Sequence, residues 1–334
     1  MAEYYSMMRS RLVFTILFFA IKFFCCTESR AQQDPQFSQY VLNQFVYNPA
    51  YAGMDNALSV TAHLRTQWVG ITGQPFIQNI SVHSPVSLLH GGAGLQILNE
   101  EEGAMRATSV SFSYSYIYKS RIGKFSVGLN GGVLQLNLDG SKLRAPDGNY
   151  ENNLIEHNDP LLPVVSVNGL APDFAAGLFF SSNKVNLGLS STHLIPMEVK
   201  LDGGGGNLSM NLARQYYFQA SYLAKLGKTF ALRPSVYLKS NGDNLQGEAD
   251  AIFSFNNFFW IGGGMRGYND NTQDAIIAMT GINIGENLRI GYSYDYTISS
   301  LSAASNGSHE VVVNYRMNLL KPAKPGKAIY NPRF

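Results

Sequence analysis

Alternating apolar and polar positions dominate the pattern of this chain. Over residues 109–118, Val, Phe or Tyr at the even positions alternates with serine at 109, 111, 113 and 115. Residues 58–68, 288–299 and 310–319 show the same period of two. Because successive side chains of a β-strand point to opposite faces, each stretch predicts a strand with one apolar and one polar face.

The length of these stretches favours a membrane barrel over a soluble sandwich, whose strands also alternate. They exceed the roughly five or six residues of a globular strand and match the roughly 9–11 that cross a bilayer at a tilt. Many end in Tyr, Phe or Trp, as interfacial girdles require. We therefore predict an all-β, transmembrane antiparallel barrel of about 14 strands, an even number as closure needs. The predicted strands start near residues 56, 74, 91, 104, 123, 172, 184, 213, 229, 245, 257, 274, 287 and 308.

The predicted connections alternate between short and long. Short turns fall at 90, 119–124, 181–183, 227–228, 256–257 and 285–287, whereas long loops cover 139–171, 194–212, 267–273 and 300–307. Barrels of this type have short periplasmic turns and longer outer loops, so the alternation supports the strand count. In the fifth strand the alternation changes phase between Val133 and Leu134, which predicts a β-bulge.

The first residues have the parts of a secretory signal. Arg9 and Arg11 precede an apolar run over residues 12–24, and Ser29 and Ala31 supply the two small residues that a signal peptidase reads before a cleavage point after Ala31. We predict a signal peptide of residues 1–31. The alternative, an anchoring helix, needs roughly 20 apolar residues, and this run is shorter and contains a lysine.

Removal of this leader changes the apparent chemistry of the chain. Four of the 25 basic and two of the 23 acidic residues leave with it, so the remainder carries no net charge and the pI near 8.4 does not indicate a nucleic-acid partner. Cys25 and Cys26 also leave, which removes disulfides, thiolate nucleophiles and cysteine metal sites. The bulky residues before them disfavour a lipid-attachment site. An exported chain rich in Tyr and Gly, without later spanning helices, is typical of the Gram-negative outer membrane.

Two segments flank the predicted barrel of residues 56–319. Residues 32–55 are rich in aromatic and amide side chains, with a bend at Asn48-Pro49, and form a predicted periplasmic or lumenal plug-like segment. Residues 320–334 carry four basic residues and three prolines. Because proline cannot donate to a sheet, we predict a short periplasmic tail there. It contacts a partner in one interpretation and is a solvated end in the other.

Candidate chemistry is sparse. No pair of histidines has a metal-binding spacing such as HExxH. Ser308, His309 and Glu310 are adjacent, but neighbouring strand residues point to opposite faces and cannot form a catalytic relay in that order. We therefore predict no enzymatic activity, with no catalytic, cofactor or metal site.

The predicted inward faces hold charges of both signs. Opposite charges on neighbouring strands predict a network across the lumen, which either braces the wall or grips a protein segment. These residues are Arg65, Arg233, Arg266, Arg289, Arg316, Glu248, Asp250, Asp295 and Glu310.

Several segments together resemble the PorP/SprF family of the type IX secretion system. Near the start the chain reads DPQFSQY at 34–40, NQ at 43–44 and NPAYAG at 48–53. RTQWVG at 65–70, GYSYDY at 291–296 and GSHE at 307–310 follow. The resemblance extends over the mature chain, although residues 139–212 contain little that is diagnostic.

The resemblance implies a non-enzymatic outer-membrane component that docks, exports or surface-anchors a large secreted protein such as a gliding adhesin. It implies a periplasmic ring lipoprotein, a peptidoglycan-binding protein, the secreted cargo and outer-membrane lipid as partners, and no nucleic acid or cofactor. A small-solute channel and a barrel enzyme are the alternatives, although the loops offer the latter no credible catalytic group. Candidate partner or lumen contacts are Phe37, Tyr40, Asn43, Gln44, Tyr47, Asn48, Tyr51, Arg65, Trp68, Asp295, His309 and Glu310.

Overall fold

The structure, a computed structural model, describes residues 34–151, 154–203, 208–268 and 272–318. The predicted signal peptide (1–31) and the predicted tail (320–334) lie outside these ranges. Within them, no helix has both the length and the apolar character needed to cross a membrane.

Seventeen strands are numbered here in chain order. They are β1 (Leu58–Thr66), β2 (Phe76–Val86), β3 (Gly91–Glu102), β4 (Met105–Lys119), β5 (Lys124–Asp139), β6 (Ser166–Ser181), β7 (Val185–Thr192), β8 (Met197–Leu201), β9 (Leu208–Leu212), β10 (Gln215–Tyr222), β11 (Ala224–Leu226), β12 (Phe230–Ser240), β13 (Leu245–Phe255), β14 (Phe259–Tyr268), β15 (Gln273–Ile284), β16 (Leu288–Thr297) and β17 (Ser308–Met317).

These strands form a closed antiparallel barrel. Consecutive strands pair from β1 to β7 and from β11 to β17, and β7 pairs with β10. In addition, β1 pairs with β17, and β12 pairs with both β10 and β11. Since β10 and β11 follow each other along one edge of β12, they occupy one position, and the barrel has the fourteen strands predicted from the alternation. The β8–β9 hairpin forms a separate two-stranded sheet.

The two faces of the wall differ as the alternation requires. Inward positions of β1 and β17, such as Thr61 and Asn314, are almost fully buried although they are polar. Outward positions are apolar and exposed, as expected for side chains that meet lipid. Examples from around the barrel are Leu64, Ile80, Leu95, Phe112, Leu129, Leu178, Leu189, Phe253, Ile261, Ile276, Tyr292 and Val311.

The barrel has a turn end and a loop end. At the turn end, connections of three or four residues join β2 to β3, β4 to β5, β6 to β7, β11 to β12, β13 to β14 and β15 to β16. At the loop end lie the long connections after β5, β7 and β16. Because such barrels keep short turns in the periplasm, the turn end is the periplasmic end.

The bulge predicted between Val133 and Leu134 is wrong. The pairing of β5 with β4 and with β6 runs through both residues without a register shift. The inward face instead becomes apolar, since Leu134 and Leu136 are buried against Val199 and Leu201 of β8. The β8–β9 hairpin therefore covers the inner wall near the loop end, which makes apolar side chains favourable there.

Candidate functional site

Residues 34–57, called the lumen segment here, lie inside the barrel. Three short 3-10 helices, Tyr40–Leu42, Gln44–Val46 and Pro49–Tyr51, shape them. Asp34 hydrogen-bonds Thr192, where β7 ends at the loop end, and Asp55 lies beside Arg316 at the turn end. The segment thus passes through the lumen from the loop end to the turn end and then enters β1.

Asn48 fixes the middle of the lumen segment to the wall. Its side-chain oxygen accepts a hydrogen bond from the amide of Ala50 and caps the third 3-10 helix. Its side-chain amide donates to the backbone oxygens of Leu178 on β6 and Leu189 on β7, at 3.0 and 3.2 Å. One side chain therefore satisfies its own hydrogen bonds and joins the segment to two strands.

Glycines on the inward face make room for the segment. A Cβ at Gly128 would lie 2.3 Å from the backbone nitrogen of Ala50, and one at Gly177 would lie 2.1 Å from Asn48 Oδ1. A Cβ at Gly94 would lie 2.4 Å from the ring of Phe45. Because real Cβ atoms do not approach other atoms so closely, these positions require glycine.

Two arginines hold together a buried charge network near the loop end. The Arg65 guanidinium contacts Asp295 at 2.7 Å and Glu310 at 3.1 Å. Arg266 contacts Glu248 at 2.7 Å and Asp295 at 2.9 Å. The network links β1, β13, β14, β16 and β17, and its groups compensate one another's burial.

The lumen segment completes this network. The Ser38 hydroxyl lies 2.8 Å from Asp295 Oδ2 and accepts hydrogen bonds from Arg65 at 3.0 Å and Arg266 at 2.6 Å. The backbone amides of Ser38 and Gln39 donate to the two carboxylate oxygens of Glu310, at 2.8 and 2.9 Å. The charges therefore brace the wall and bind a protein segment at once.

Aromatic rings fill the space around the network. Phe37 stacks on His63 with ring centroids 4.6 Å apart. Tyr47 packs against Tyr217 and Tyr237 at 5.3 and 4.9 Å, and its hydroxyl accepts a hydrogen bond from the Phe37 amide. Such ring contacts add roughly 0.5–1.5 kcal/mol each beyond area burial, so the segment is packed as a core element.

A second polar anchor lies at the start of the segment. His193, which follows β7, is 2.8 Å from Asp34 and 2.9 Å from Asp173. Burial alone would lower the pKa of His193, but the two carboxylates raise it to about 11. Burial alone would raise the pKa of Asp34, but His193 and Lys239 bring it well below its usual range. This anchor is therefore an ion pair at neutral pH.

The structure brings most of the sequence-predicted residues together. Trp68 lies in the β1–β2 connection and not beside the lumen segment, and its backbone amide donates a hydrogen bond to the Ser308 hydroxyl. His309 points outward and hydrogen-bonds Tyr292 at 2.7 Å, because its neighbour Glu310 takes the inward face. In or beside the lumen segment lie Phe37, Tyr40, Asn43, Gln44, Tyr47, Asn48, Tyr51, Arg65, Asp295 and Glu310.

Of the nine predicted inward charges, eight divide into two groups, and Asp250 is buried on β13. Arg65 and Arg266 join the network with Glu248, Asp295 and Glu310, whereas Arg233, Arg289 and Arg316 lie at the turn end. Their strand positions separate the two groups, since each of the latter three stands near the turn-end terminus of its strand.

Several contact residues were absent from the sequence-predicted sets. Ser38, His193 and the wall glycines Gly128 and Gly177 all contact the lumen segment or its network. Arg266, in contrast, was predicted as an inward charge beside Glu248, and it joins the network. The glycines had no signal, because their role depends on where the segment lies.

A cavity of about 390 Å³ remains beside the lumen segment. Its polar side includes alternate serines of β4, with Ser111 and Ser113 bound to Asn130. Its apolar side includes Leu136 of the wall and Leu212 of the hairpin. The volume suits a small molecule.

Among the described residues, no group of three or more His, Asp or Glu side chains has the arrangement of a metal site.

Comparisons with known proteins identify the family and the fold. Residues 29–315 match the family model described as type IX secretion system membrane protein PorP/SprF. No curated protein sequence matches the chain. The toluene transporter TbuX of Ralstonia pickettii is similar in structure, with 13% identity, 83% of this chain and 93% of that chain covered, and a TM-score of 0.51. The CymD monoaromatic hydrocarbon channel has 10% identity, coverage of 85% and 94%, and a TM-score of 0.50. At these identities the likeness concerns the fold alone.

Proposed function

The chain belongs to the PorP/SprF family of type IX secretion system membrane proteins of the Gram-negative outer membrane, and we propose that it is a non-enzymatic docking component of that system. In this role it holds a large secreted protein, such as a gliding adhesin, during export or surface anchoring. Its partners on the periplasmic side are a ring lipoprotein and a peptidoglycan-binding protein, and outer-membrane lipid surrounds its wall.

The observation that carries the proposal is the occupied lumen. The lumen segment is held at Asp34, Ser38 and Asn48 by polar contacts and between these points by packed rings. A barrel of fourteen strands has room for a water-filled path, but a packed segment removes most of it. A wall braced by its own N-terminal residues suits a rigid docking platform better than a route for diffusion.

The test is complementation of a strain that lacks the chain. We expect the full chain to restore surface display of one large protein, measured by whole-cell immunoblotting and mass spectrometry of the shed fraction. A tagged full chain purified in mild detergent should carry secretion-system proteins with it. Normal display in the deletion strain, together with purification of the barrel alone, would contradict the proposal.

A small-solute channel is the second candidate. The 390 Å³ cavity favours it, as does the likeness in fold to proteins described as a toluene transporter and a monoaromatic hydrocarbon channel. The discriminating measurement is uptake of toluene and of a small sugar into proteoliposomes that contain the full chain. Transport above that of empty liposomes would favour the channel, whereas no transport together with restored display in cells would favour docking.

A further inference from the structure

The turn end of the barrel is strongly basic. Among the described residues, nine basic and two acidic side chains lie there, the acidic ones being Asp55 and Glu286. The basic residues, called the turn-end basic surface here, are Lys119, Arg121, Lys124, Lys184, Lys225, Lys228, Arg233, Arg289 and Arg316.

Three arginines of this surface point into the mouth of the barrel. Arg233 on β12, Arg289 on β16 and Arg316 on β17 occupy inward positions of the alternating pattern. Their side chains therefore face the end of the lumen segment. Arg289 is within electrostatic range of the other two, and Asp55 is the carboxylate among them. Three like charges repel one another and Asp55 offsets only one of them, so a further anion is favourable there.

The guanidinium groups retain free donors. Within the described residues, Arg233 has no hydrogen-bond acceptor, and Arg289 uses only its Nε, toward Asn283 at 2.9 Å. Arg316 donates from Nε to Asn314 at 3.1 Å and lies 3.7 Å from Asp55. An arginine presents five donors in a planar fork that suits carboxylate oxygens, so most of this capacity remains available for a ligand.

We propose that the turn-end basic surface binds an acidic, Asp- or Glu-rich segment of a periplasmic protein, whose carboxylates enter the barrel mouth between Arg233, Arg289 and Arg316. The three arginines face the lumen, where the wall separates them from lipid headgroups, and this favours a protein segment over a membrane surface. The exposed lysines of the turns, Lys225 and Lys228 among them, attract the segment before it docks. The inference rests on the proposed function for the existence of a periplasmic partner.

Binding of a defined peptide tests the proposal. The full chain in a neutral detergent is titrated into a fluorescent 12-residue peptide in which Asp and Glu alternate with Ser, with the Asn/Gln version as comparison. We expect anisotropy to report binding of the acidic peptide alone, weakening at least tenfold between low and high salt as charge pairs are screened. Equal binding of both peptides, or of neither, would overturn the proposal.

Matched variants locate the site. Arg233→Gln with Arg289→Gln should weaken binding about tenfold or more, which corresponds to roughly 1.4 kcal/mol. Arg106→Gln with Lys142→Gln removes the same charge from exposed positions at the loop end and should change affinity less than twofold. Should the first pair not fold, Lys225→Gln with Lys228→Gln should still lower affinity and its salt dependence. Unchanged affinity in the turn-end variants would refute the site.

Two further measurements separate the sources of failure. Binding of the wild-type chain to anionic phospholipid vesicles but not to the acidic peptide would assign the surface to lipid and overturn the protein partner. The variant Arg233→Gln with Arg289→Gln is then expressed in cells. Loss of peptide binding with normal surface display would remove the docking role of this surface and leave the proposed function intact. We expect this variant to lose both peptide binding and surface display.

Discussion

Gly177 of the wall and Asn48 of the lumen segment are in contact at a point where no side chain fits. A Cβ on Gly177 would lie 2.1 Å from Asn48 Oδ1, while the Asn48 amide bridges the backbone oxygens of Leu178 and Leu189. The attachment of the lumen segment to β6 and β7 therefore depends on the absence of a single methyl group.

Gly177→Val should release the middle of the lumen segment. The added atoms exclude the Asn48 side chain, and overpacking of this kind costs roughly 1–3 kcal/mol. Hydrogen–deuterium exchange should rise over residues 44–52. Gly131→Val is the matched control, because a Cβ at Gly131 meets only the Phe174 ring at 3.6 Å. Equal exchange in the two variants would contradict the assigned contact.

Arg266→Gln should destabilise the barrel strongly. It leaves Glu248 without the cation that now lies at 2.7 Å, and Asp295 keeps only Arg65, so the loss of the buried pair costs about 3–5 kcal/mol. Arg106→Gln breaks only an exposed pair with Glu101 and should cost about 0–1 kcal/mol. Unfolding in urea with detergent, followed by the heat-dependent gel shift, compares the two. Similar midpoints would show that the network contributes little.

The ion pair of His193 should stabilise the protein in a defined pH range. Because its folded pKa is raised to about 11 from an ordinary 6.5, its contribution is complete below 6.5 and is lost as the pH rises through 11. The melting temperature of the wild type minus that of His193→Gln should therefore be largest near pH 6 and shrink toward pH 11. A difference that does not change over this range would exclude a charged His193.

Gly169→Val should displace the β8–β9 hairpin without opening the wall. A Cβ at Gly169 would lie 2.6 Å from the backbone oxygen of Lys200, so the hairpin must move away from β6. Residues 197–212 should become sensitive to external protease, while the melting temperature changes little. The Gly131→Val variant again serves as control, and a protected hairpin in Gly169→Val would contradict the packing described.

The period-two pattern predicted the strands well, because lipid outside and polar groups inside impose it on every strand of the wall. It failed at Leu134 and Leu136, where a hairpin from a distant loop replaces the polar lumen with an apolar surface. For residues 34–57 the sequence left a periplasmic and a lumenal position open and could not predict the path of the chain, since irregular backbone has no period. Because successive side chains of a strand point to opposite faces, Glu310 joins the network and the adjacent His309 does not.

The passage of the lumen segment through the barrel sets an order of assembly. Ser38 hydrogen-bonds Glu310, 272 residues later and on the last strand, so the first folded residues are secured only when the last strand arrives. Once β1 and β17 have paired, the lumen segment cannot easily be inserted into the closed barrel. The early part of the chain must therefore wait inside an open sheet, and the closing seam captures it.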